Sequence, residues 1–201
     1  SALAIGDGEI LRDMRALAQL EGVSAAPGGG AALQAVRVLA ADGRIVDKVR
    51  MAHEVRTLQP AVAVFDERHA LAVLRDAGPG PGQIRATKSI DGDRHWPAAE
   101  TLPLPNPNSS VALLRLHSGR LLIAGNGAGN RNQLLLWSSD AAGKTWRLTR
   151  TVESDADDLV EFSYPALLQS RDGRIHLAYT WRRQGIKHAV FSEAWLDGGP
   201  P

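Results

Sequence analysis

The sequence predicts an all-β fold, a β-propeller whose blades follow one another along the chain. Three observations support this prediction: a turn motif that occurs twice, hairpin signals that keep one spacing, and a further apolar run after each hairpin. Strand-only repeats of roughly forty to fifty residues are typical of propeller blades, which pack radially around a channel. The alternative is an ordinary antiparallel sandwich, which is the weaker interpretation because the turns keep one period.

The turn motif reads SDAAGKTW at residues 139–146, and an earlier copy reads SIDGDRHW at residues 89–96. Both fit an S-x-D-x-G-x-T-W template imperfectly. In such a turn, Asp and Ser bond the local backbone, Gly takes the tight conformation and Trp packs between sheets. The later copy has Ala141 at the Asp position, so we expect its turn to be weakened. We expect the tryptophans of both copies, Trp96 and Trp146, to be core residues.

Three hairpins are predicted where a short polar turn separates two apolar runs. Asp-Gly between apolar runs is a strong hairpin signal, because Gly accepts a positive φ without a Cβ clash. The turns are residues 66–68, 118–120 and 172–174. Their middle residues are 52 and 54 positions apart. The third apolar runs are residues 83–87, 133–137 and 186–191. One unit therefore contains at least three strands, and a fourth turn at residues 42–44 indicates a partial unit upstream.

The predicted organisation is a region of blades preceded by a distinct segment. Residues 1–35 form an N-terminal segment with a candidate short helix over residues 9–20 and a Gly-rich linker at residues 27–30, to which we assign no function. Residues 36–201 form the blades. The expected boundaries are about 36–57 for a partial blade, then 58–108, 109–161 and 162–201.

Composition excludes several classes of function. The formal net charge is +1 and no long basic run is present, so nucleic acid is not an expected partner. No apolar stretch is long enough for a transmembrane helix and no signal peptide is visible, so we expect a soluble protein without a membrane partner, in an undetermined compartment. The sequence has no cysteine, and its six histidines lack metal-ligand spacing, so no metal site is expected.

Several segments resemble a known family. The S-x-D-x-G-x-T-W pattern resembles the Asp box of sialidases and related BNR-repeat propellers, and the resemblance extends from about residue 37 to residue 196. Its most specific segments are LQP at 58–60, PNPNS at 105–109, FSYPAL at 162–167, DGRIHLAYTWRR at 172–183 and IKH at 186–188. Together they resemble the bacterial sialidase-like (neuraminidase) branch of BNR-repeat proteins.

This resemblance implies a six-bladed propeller of the sialidase type, of which about four blades are present in this chain. Because an incomplete ring leaves unpaired sheet edges, we expect the chain to be the C-terminal part of a longer protein or a gapped version of one. The resemblance also implies a retaining glycoside hydrolase of the exo-α-sialidase type, which requires no metal or organic cofactor.

The resemblance places Tyr164 at the position of the family's nucleophilic tyrosine, at the start of the first strand of its repeat. Sialic acid carries a carboxylate on its anomeric carbon. A neutral hydroxyl that a neighbouring Glu deprotonates avoids the repulsion that an anionic nucleophile meets there. Glu161 is the local candidate for that base. In a regular strand the two side chains point to opposite faces, so a bend before Pro165 is needed. The alternatives are a buried core tyrosine and an exposed loop acid.

The resemblance also places Arg131 and Arg75 at the last and middle positions of the sialidase arginine triad. There, planar guanidinium groups hold the sugar carboxylate through a bidentate fork. The alternative for each is a solvated arginine at a strand end. Gln59 occupies the segment in which the sialidase pattern has a Glu, and because Gln cannot take a proton we expect it to bind substrate. The acid/base Asp and the first triad arginine have no match among residues 1–36.

Two functions of different class follow. The first is an exo-sialidase-like hydrolase that releases a terminal acidic sugar from a sialoside or another anionic glycan, with Tyr164 as nucleophile and Glu161 assisting it. The second is a non-catalytic propeller that binds a glycan or a protein partner, which Gln59 and the imperfect motif copies favour. Two arginines do not distinguish sialic acid from related keto-sugars and uronates. Convergence of Arg75, Arg131 and the Tyr164 hydroxyl would support the first function.

Overall fold

The computed structural model consists of antiparallel β-sheets and one short helix. It describes residues 35–36, 49–51, 56–79, 82–92 and 94–200. The candidate helix over residues 9–20, the Gly-rich linker at 27–30 and the turn at 42–44 lie outside the described residues, so they stay predictions.

Three sheets follow one another along the chain, and in each sheet the strands lie side by side in sequence order. A short ladder comes first, formed by β1 (Ala35–Val36) and β2 (Val49–Arg50). The first sheet comprises β3 (Thr57–Val64), β4 (Ala70–Asp76), β5 (Gln83–Ser89) and β6 (Glu100–Pro105). The second comprises β7 (Ala112–Arg115), β8 (Leu121–Asn126), β9 (Gln133–Ser139) and β10 (Trp146–Ser154). The third comprises β11 (Phe162–Gln169), β12 (Ile175–Trp181) and β13 (Gly185–Phe191), after which comes helix α1 (Glu193–Leu196).

The three predicted hairpins and the strand after each are confirmed. The hairpins join β3 to β4, β7 to β8 and β11 to β12. In the second and third hairpins, Gly119 and Gly173 have φ values of 88° and 85°. These values lie in the left-handed region, which glycine adopts without a Cβ penalty. The second turn is closed by the Leu116 N–H, which donates to the Arg120 carbonyl at 2.8 Å.

Two further strands, β6 and β10, lie outside the predicted pattern. β6 contains Pro103 and Pro105 and forms the edge of its sheet, where a missing N–H costs no ladder bond. β10 is an edge strand without a buried residue. Apolar periodicity does not reveal edge strands of this kind, because they bury too little apolar surface to show it.

Alternate residues of β8 face two different cores. Leu121 and Ile123 pack into the core between the first and second sheets, whereas Leu122 and Ala124 pack into the core between the second and third. All four have 0% exposure. Because successive side chains of a strand point to opposite faces, the second sheet is covered on both sides. β3 contacts β7, and β7 contacts β11, so the first strands of the three sheets lie next to one another.

The all-β class is therefore confirmed, while the number of blades and the segment boundaries stay predictions. The described residues include no helix that is long and apolar enough to cross a membrane.

Both tryptophans of the turn motif contact cores, as predicted. Trp96 is 2% exposed and packs with Ala70 and Leu74 on the opposite face of the first sheet. Trp146 is partly buried and packs against the core between the first and second sheets. Tyr179 is also a core residue, with 1% exposure.

The expectation that Ala141 weakens its turn is wrong, because Asp140 supplies the turn carboxylate. Asp140 Oδ1 accepts a hydrogen bond from the Lys144 N–H at 3.3 Å. In the earlier copy, Asp91 Oδ1 accepts from the His95 N–H at 3.0 Å, four positions along the chain as well. The later turn has one more residue between its Asp and its Trp, so the template misplaces the Asp by one position.

Removal of the turn carboxylate tests this correction. We expect Asp140→Ala to lower the melting temperature by a few degrees, because the N–H groups of Ala142 and Lys144 lose their acceptor. The neighbouring substitution Ala141→Ser serves as the control and should leave it unchanged. Thermal unfolding followed by circular dichroism measures both variants. A lower melting temperature for Ala141→Ser than for Asp140→Ala would contradict the assignment of Asp140 as the turn carboxylate.

Candidate active site

Five residues other than glycine have a positive φ in the described part of the chain, and all lie at the same end of the sheets. They are Gln59 (47°), Asn108 (52°), Tyr164 (53°), Arg182 (52°) and Arg183 (53°). A left-handed conformation costs a residue with a Cβ on the order of 1–3 kcal/mol, and such residues cluster at functional sites. Arg182 and Arg183 form the turn between β12 and β13, where positive φ is usual, so the strain that marks this end of the sheets as a candidate site is that of Gln59, Asn108 and Tyr164.

The first three of these residues lie where the first strand of each sheet begins. The ladder register shifts within residues 58–61 of β3 and within residues 163–166 of β11, so Gln59 and Tyr164 lie inside β-bulges. Asn108 comes shortly before β7. A bulge adds a residue to one strand and re-aims its side chain, which is why bulges occur next to active sites.

Arg75, near the end of β4, is held by two neutral amides. Its Nε donates to Asn108 Oδ1 at 2.7 Å, and its Nη1 donates to Gln59 Oε1 at 3.0 Å. Burial lowers the pKa of Arg75 and the positive charge of Arg131 lowers it further, whereas the Tyr164 hydroxyl beside it acts in the opposite direction. Among the residues with described positions, no carboxylate pairs with Arg75, so its charge is not compensated.

Arg131, in the loop between β8 and β9, contacts the loop before β7 and the residues at the start of the third sheet. Its Nη1 donates to Glu161 Oε1 at 3.0 Å, and its Nη2 donates to the main-chain oxygen of Asn108 at 2.9 Å. Its Cζ lies 5.9 Å from the centroid of the Tyr164 ring, within the range of a cation–π interaction. The positive charge of Arg131 also lowers the pKa of Arg75. Arg75, Arg131 and Tyr164 therefore form one cluster.

Tyr164 is the accessible tyrosine of the two in the sequence, with 50% exposure. Its hydroxyl lies beside Arg75 and its ring lies beside Arg131. The alternative of a buried core residue describes Tyr179 and not Tyr164. The cluster thus presents an exposed hydroxyl next to two guanidinium groups.

Glu161 is buried, with 8% exposure, and is not an exposed loop acid. Its Oε1 accepts from Ser163 Oγ at 2.5 Å and from Arg131, and its Oε2 accepts from Arg183 Nε at 2.6 Å. Burial alone would raise the pKa of Glu161, but the hydrogen bonds from Ser163, Arg131 and Arg183 outweigh it, so the pKa lies below its ordinary value. No hydrogen bond between described residues joins Glu161 to Tyr164, although Arg131 contacts both.

A polar cavity of about 280 Å³ adjoins the cluster, and its walls include Arg131, Glu161 and Arg183. A larger cavity of about 440 Å³ lies elsewhere, at Arg120 and Arg147. The guanidinium groups of the larger cavity pair with an aspartate at the end of α1, so their charges are already compensated. The two guanidinium groups of the smaller cavity pair with Glu161, so the uncompensated charge that an anionic ligand could meet is that of Arg75 in the adjoining cluster.

The described part of the chain contains no group of three or more His, Asp or Glu side chains that could hold a metal ion. The chemistry that the cluster offers is that of guanidinium groups, a carboxylate, neutral amides and a phenol. Such groups can bind an anion and can supply an oxygen nucleophile.

Three residues of the cluster are not among the sequence-based candidates: Asn108, Ser163 and Arg183. Asn108 lies in the PNPNS segment of the family resemblance, but it stands four positions before β7, whereas Gln59 and Tyr164 are the third residues of β3 and β11. The left-handed backbone conformation that the three residues share is not visible in the residue types.

Comparison with known families decides the relationship of this chain. The BNR repeat-like domain family matches residues 24–177, which is most of the chain. The chain belongs to this family. No curated protein matches this BNR-repeat protein.

Solved glycosidase structures share the fold of this BNR-repeat protein. An α-L-arabinofuranosidase from Fusarium graminearum has 17% identity and a TM-score of 0.53 over 70% of this chain and 47% of its own. The intramolecular trans-sialidase of the leech has 16% identity and a TM-score of 0.53 over 77% of this chain and 26% of its own. A GH43 endo-arabinanase from Bacillus licheniformis has 21% identity and a TM-score of 0.51 over 72% of this chain and 54% of its own. The sialidase-like BNR resemblance is thus confirmed, and the chain spans less than two thirds of each of these structures.

The lowered pKa of Glu161 predicts a pH-dependent contribution to stability. Its carboxylate stabilises the fold fully above its unfolded pKa of about 4.3, and this contribution is lost as the pH falls through the lower folded value. We expect Glu161→Gln to lower the free energy of unfolding by about 1–3 kcal/mol near neutral pH, and the difference from wild type to shrink below about pH 4.

Urea denaturation over a pH series measures this difference. The exposed Glu100 of β6 provides a matched control, and Glu100→Gln should change the free energy of unfolding little near neutral pH. A difference between wild type and Glu161→Gln that is the same at neutral and acidic pH would contradict the prediction.

Proposed function

We propose that this BNR-repeat protein is a glycoside hydrolase of the exo-α-sialidase type, which releases a terminal acidic sugar with retention of configuration. The observation that best supports the proposal is the convergence of the Arg75 and Arg131 guanidinium groups with the accessible Tyr164 hydroxyl. Because the chain spans less than two thirds of the similar structures, the proposal concerns the part of the site that this chain supplies.

In this proposal the arginines hold the sugar carboxylate. A guanidinium group offers parallel N–H donors that match the two oxygens of a carboxylate. The carboxylate binds at Arg75 and Arg131, and Gln59 contributes by holding Arg75 in place. Arg183 adds a third positive charge, against the negative charges of Glu161 and of Asp158, which lines the same cavity. The surplus of positive charge favours an anionic ligand over a neutral one.

Tyr164 is the proposed nucleophile. Its oxygen forms a bond to the anomeric carbon while the glycosidic bond breaks and the leaving oxygen takes a proton from water. A second water later hydrolyses the glycosyl–tyrosine intermediate. Glu161 is the proposed acceptor of the hydroxyl proton. Since Glu161 already accepts three hydrogen bonds, one donor has to turn away first. We assign this movement to Arg183, whose side chain is 74% exposed.

The second candidate function is a non-catalytic propeller that binds an acidic glycan or a protein partner. Two observations favour it. Gln59 has no titratable group. The hydrogen bonds that Glu161 accepts lower the pKa of Glu161, which makes its carboxylate a weak base. Binding of an acidic sugar without hydrolysis would support this function.

Replacement of the nucleophile tests the catalytic proposal. We expect Tyr164→Phe to lower the turnover of a fluorogenic sialoside by about a thousandfold or more, because the attacking oxygen is removed while the ring is kept. Tyr179→Phe is the matched control, since it removes a buried hydroxyl that lies outside the site, and it should keep turnover. Equal turnover by Tyr164→Phe and wild type would rule out the nucleophile.

Replacement of Arg75 tests the binding of the carboxylate. We expect Arg75→Gln to weaken the binding of N-acetylneuraminic acid by roughly ten- to a hundredfold, because a charge-assisted hydrogen bond is lost. Arg75→Lys keeps the charge without the planar guanidinium group, so its affinity should lie between those of wild type and Arg75→Gln. NMR titration measures the affinities, with glucuronic acid as the uronate probe and the methyl ester of each sugar as the uncharged control. Equal binding of acid and ester by the wild type would contradict recognition of the carboxylate.

A further inference from the structure

Asn108 is the residue, among those described, that hydrogen bonds to both arginines of the site. Its side-chain Oδ1 accepts from Arg75 Nε at 2.7 Å, and its main-chain oxygen accepts from Arg131 Nη2 at 2.9 Å. We propose that Asn108 is a positioning residue that fixes the separation of the two guanidinium groups and keeps the charge of Arg75 free for a substrate carboxylate. The identity of that substrate rests on the proposed function, whereas the geometry does not.

Asn108 lies in a loop that is fixed on both sides. The fully buried Asn106 donates through Nδ2 to the Ser109 carbonyl at 2.8 Å and accepts from the Ser109 N–H at 3.1 Å. The Asn108 N–H donates to the Asn106 carbonyl at 2.8 Å. A Cβ on Gly82 would lie 2.2 Å from the Asn106 oxygen, so the backbone of Gly82 is packed directly against the loop. These contacts fix both acceptors of Asn108 relative to the sheets.

The residue type suits both tasks. The φ of Asn108 is 52°, and Asn adopts the left-handed region more readily than most residues. Its amide oxygen accepts a hydrogen bond without carrying a charge. An Asp would occupy the same space but would compensate the charge of Arg75. Gln59, the other acceptor of Arg75, is a neutral amide too.

Arg131 is held differently, because one of its partners is the Glu161 carboxylate. The charge of Arg131 is therefore partly compensated before any ligand binds. Arg75 uses two of its five N–H donors on the neutral amides of Gln59 and Asn108, and the Tyr164 hydroxyl is a third side-chain partner, so donors remain for an anion. The geometry thus makes Arg75 the main anchor for a carboxylate and Arg131 its support.

Two substitutions separate the charge of Asn108 from its shape. Asn108→Asp keeps both acceptors but adds a negative charge beside Arg75. Asn108→Gly keeps the left-handed backbone and the main-chain acceptor for Arg131 but removes the amide that holds Arg75. Gln83→Glu is the matched control, because it makes the same change of amide to carboxylate at an exposed position of β5 that has no hydrogen bond to the site.

Binding of N-acetylneuraminic acid to the full chain, measured by NMR titration, gives the first readout. We expect Asn108→Asp to lower the affinity at least about tenfold, Asn108→Gly to lower it roughly three- to tenfold, and Gln83→Glu to change it less than about twofold. With a fluorogenic sialoside, the loss should appear in KM rather than in kcat, because Asn108 touches no reacting atom. Wild-type affinity in Asn108→Asp would overturn the inference.

The Nε–H signal of Arg75 in proton–nitrogen correlation spectra gives a readout that needs no ligand. It can be assigned from its disappearance in Arg75→Lys. We expect the signal to shift in Asn108→Asp and to be lost to solvent exchange in Asn108→Gly, while the melting temperature stays within a few degrees of wild type. An unchanged signal in Asn108→Gly would overturn the positioning role. If the signal changes as expected but the wild type binds no acidic sugar, the positioning role is supported and the proposed function is overturned.

Discussion

The site depends on a β-bulge, one extra residue near the start of the first strand in both the first and the third sheet. In a regular strand, side chains alternate between the two faces of the sheet, and the faces between neighbouring sheets are occupied by packed cores. A bulge with a left-handed residue breaks this alternation. Gln59 and Tyr164 therefore project at the end of the sheets, where Asn108 joins them from the loop before β7. The buried cores stabilise the sheets sufficiently to hold these strained positions.

The electrostatics of the site follow from which partners the arginines have. Two guanidinium groups lie close together, and their repulsion contributes to the lowered pKa of Arg75. The carboxylate of Glu161 compensates Arg131 and Arg183, but Arg75 has only neutral acceptors. A ligand carboxylate would supply the missing negative charge. The proposed recognition of an acidic sugar is therefore a consequence of unequal compensation, and not of the number of arginines alone.

Much of the fold could be predicted because short polar turns and apolar runs are local signals that repeat. The edge strands β6 and β10 could not be found in this way, because they bury few apolar side chains. The turn after β9 shows a different limit. The motif has the same length in both copies, but its carboxylate lies one position earlier in the later copy, at Asp140 and not at position 141, which only the hydrogen bonds reveal.

For the site, the resemblance supplied Arg75, Arg131 and Tyr164, which the fold brings into one cluster. The sequence does not reveal Asn108, because its role depends on its backbone φ and on its main-chain oxygen. Neither is a property of the residue type. The most direct test is a crystal structure of the protein with N-acetylneuraminic acid. The account predicts that the sugar carboxylate lies within hydrogen-bond distance of both the Arg75 and Arg131 guanidinium groups, with the Tyr164 hydroxyl facing the anomeric carbon. A sugar bound away from this cluster, or with its carboxylate turned to solvent, would contradict it.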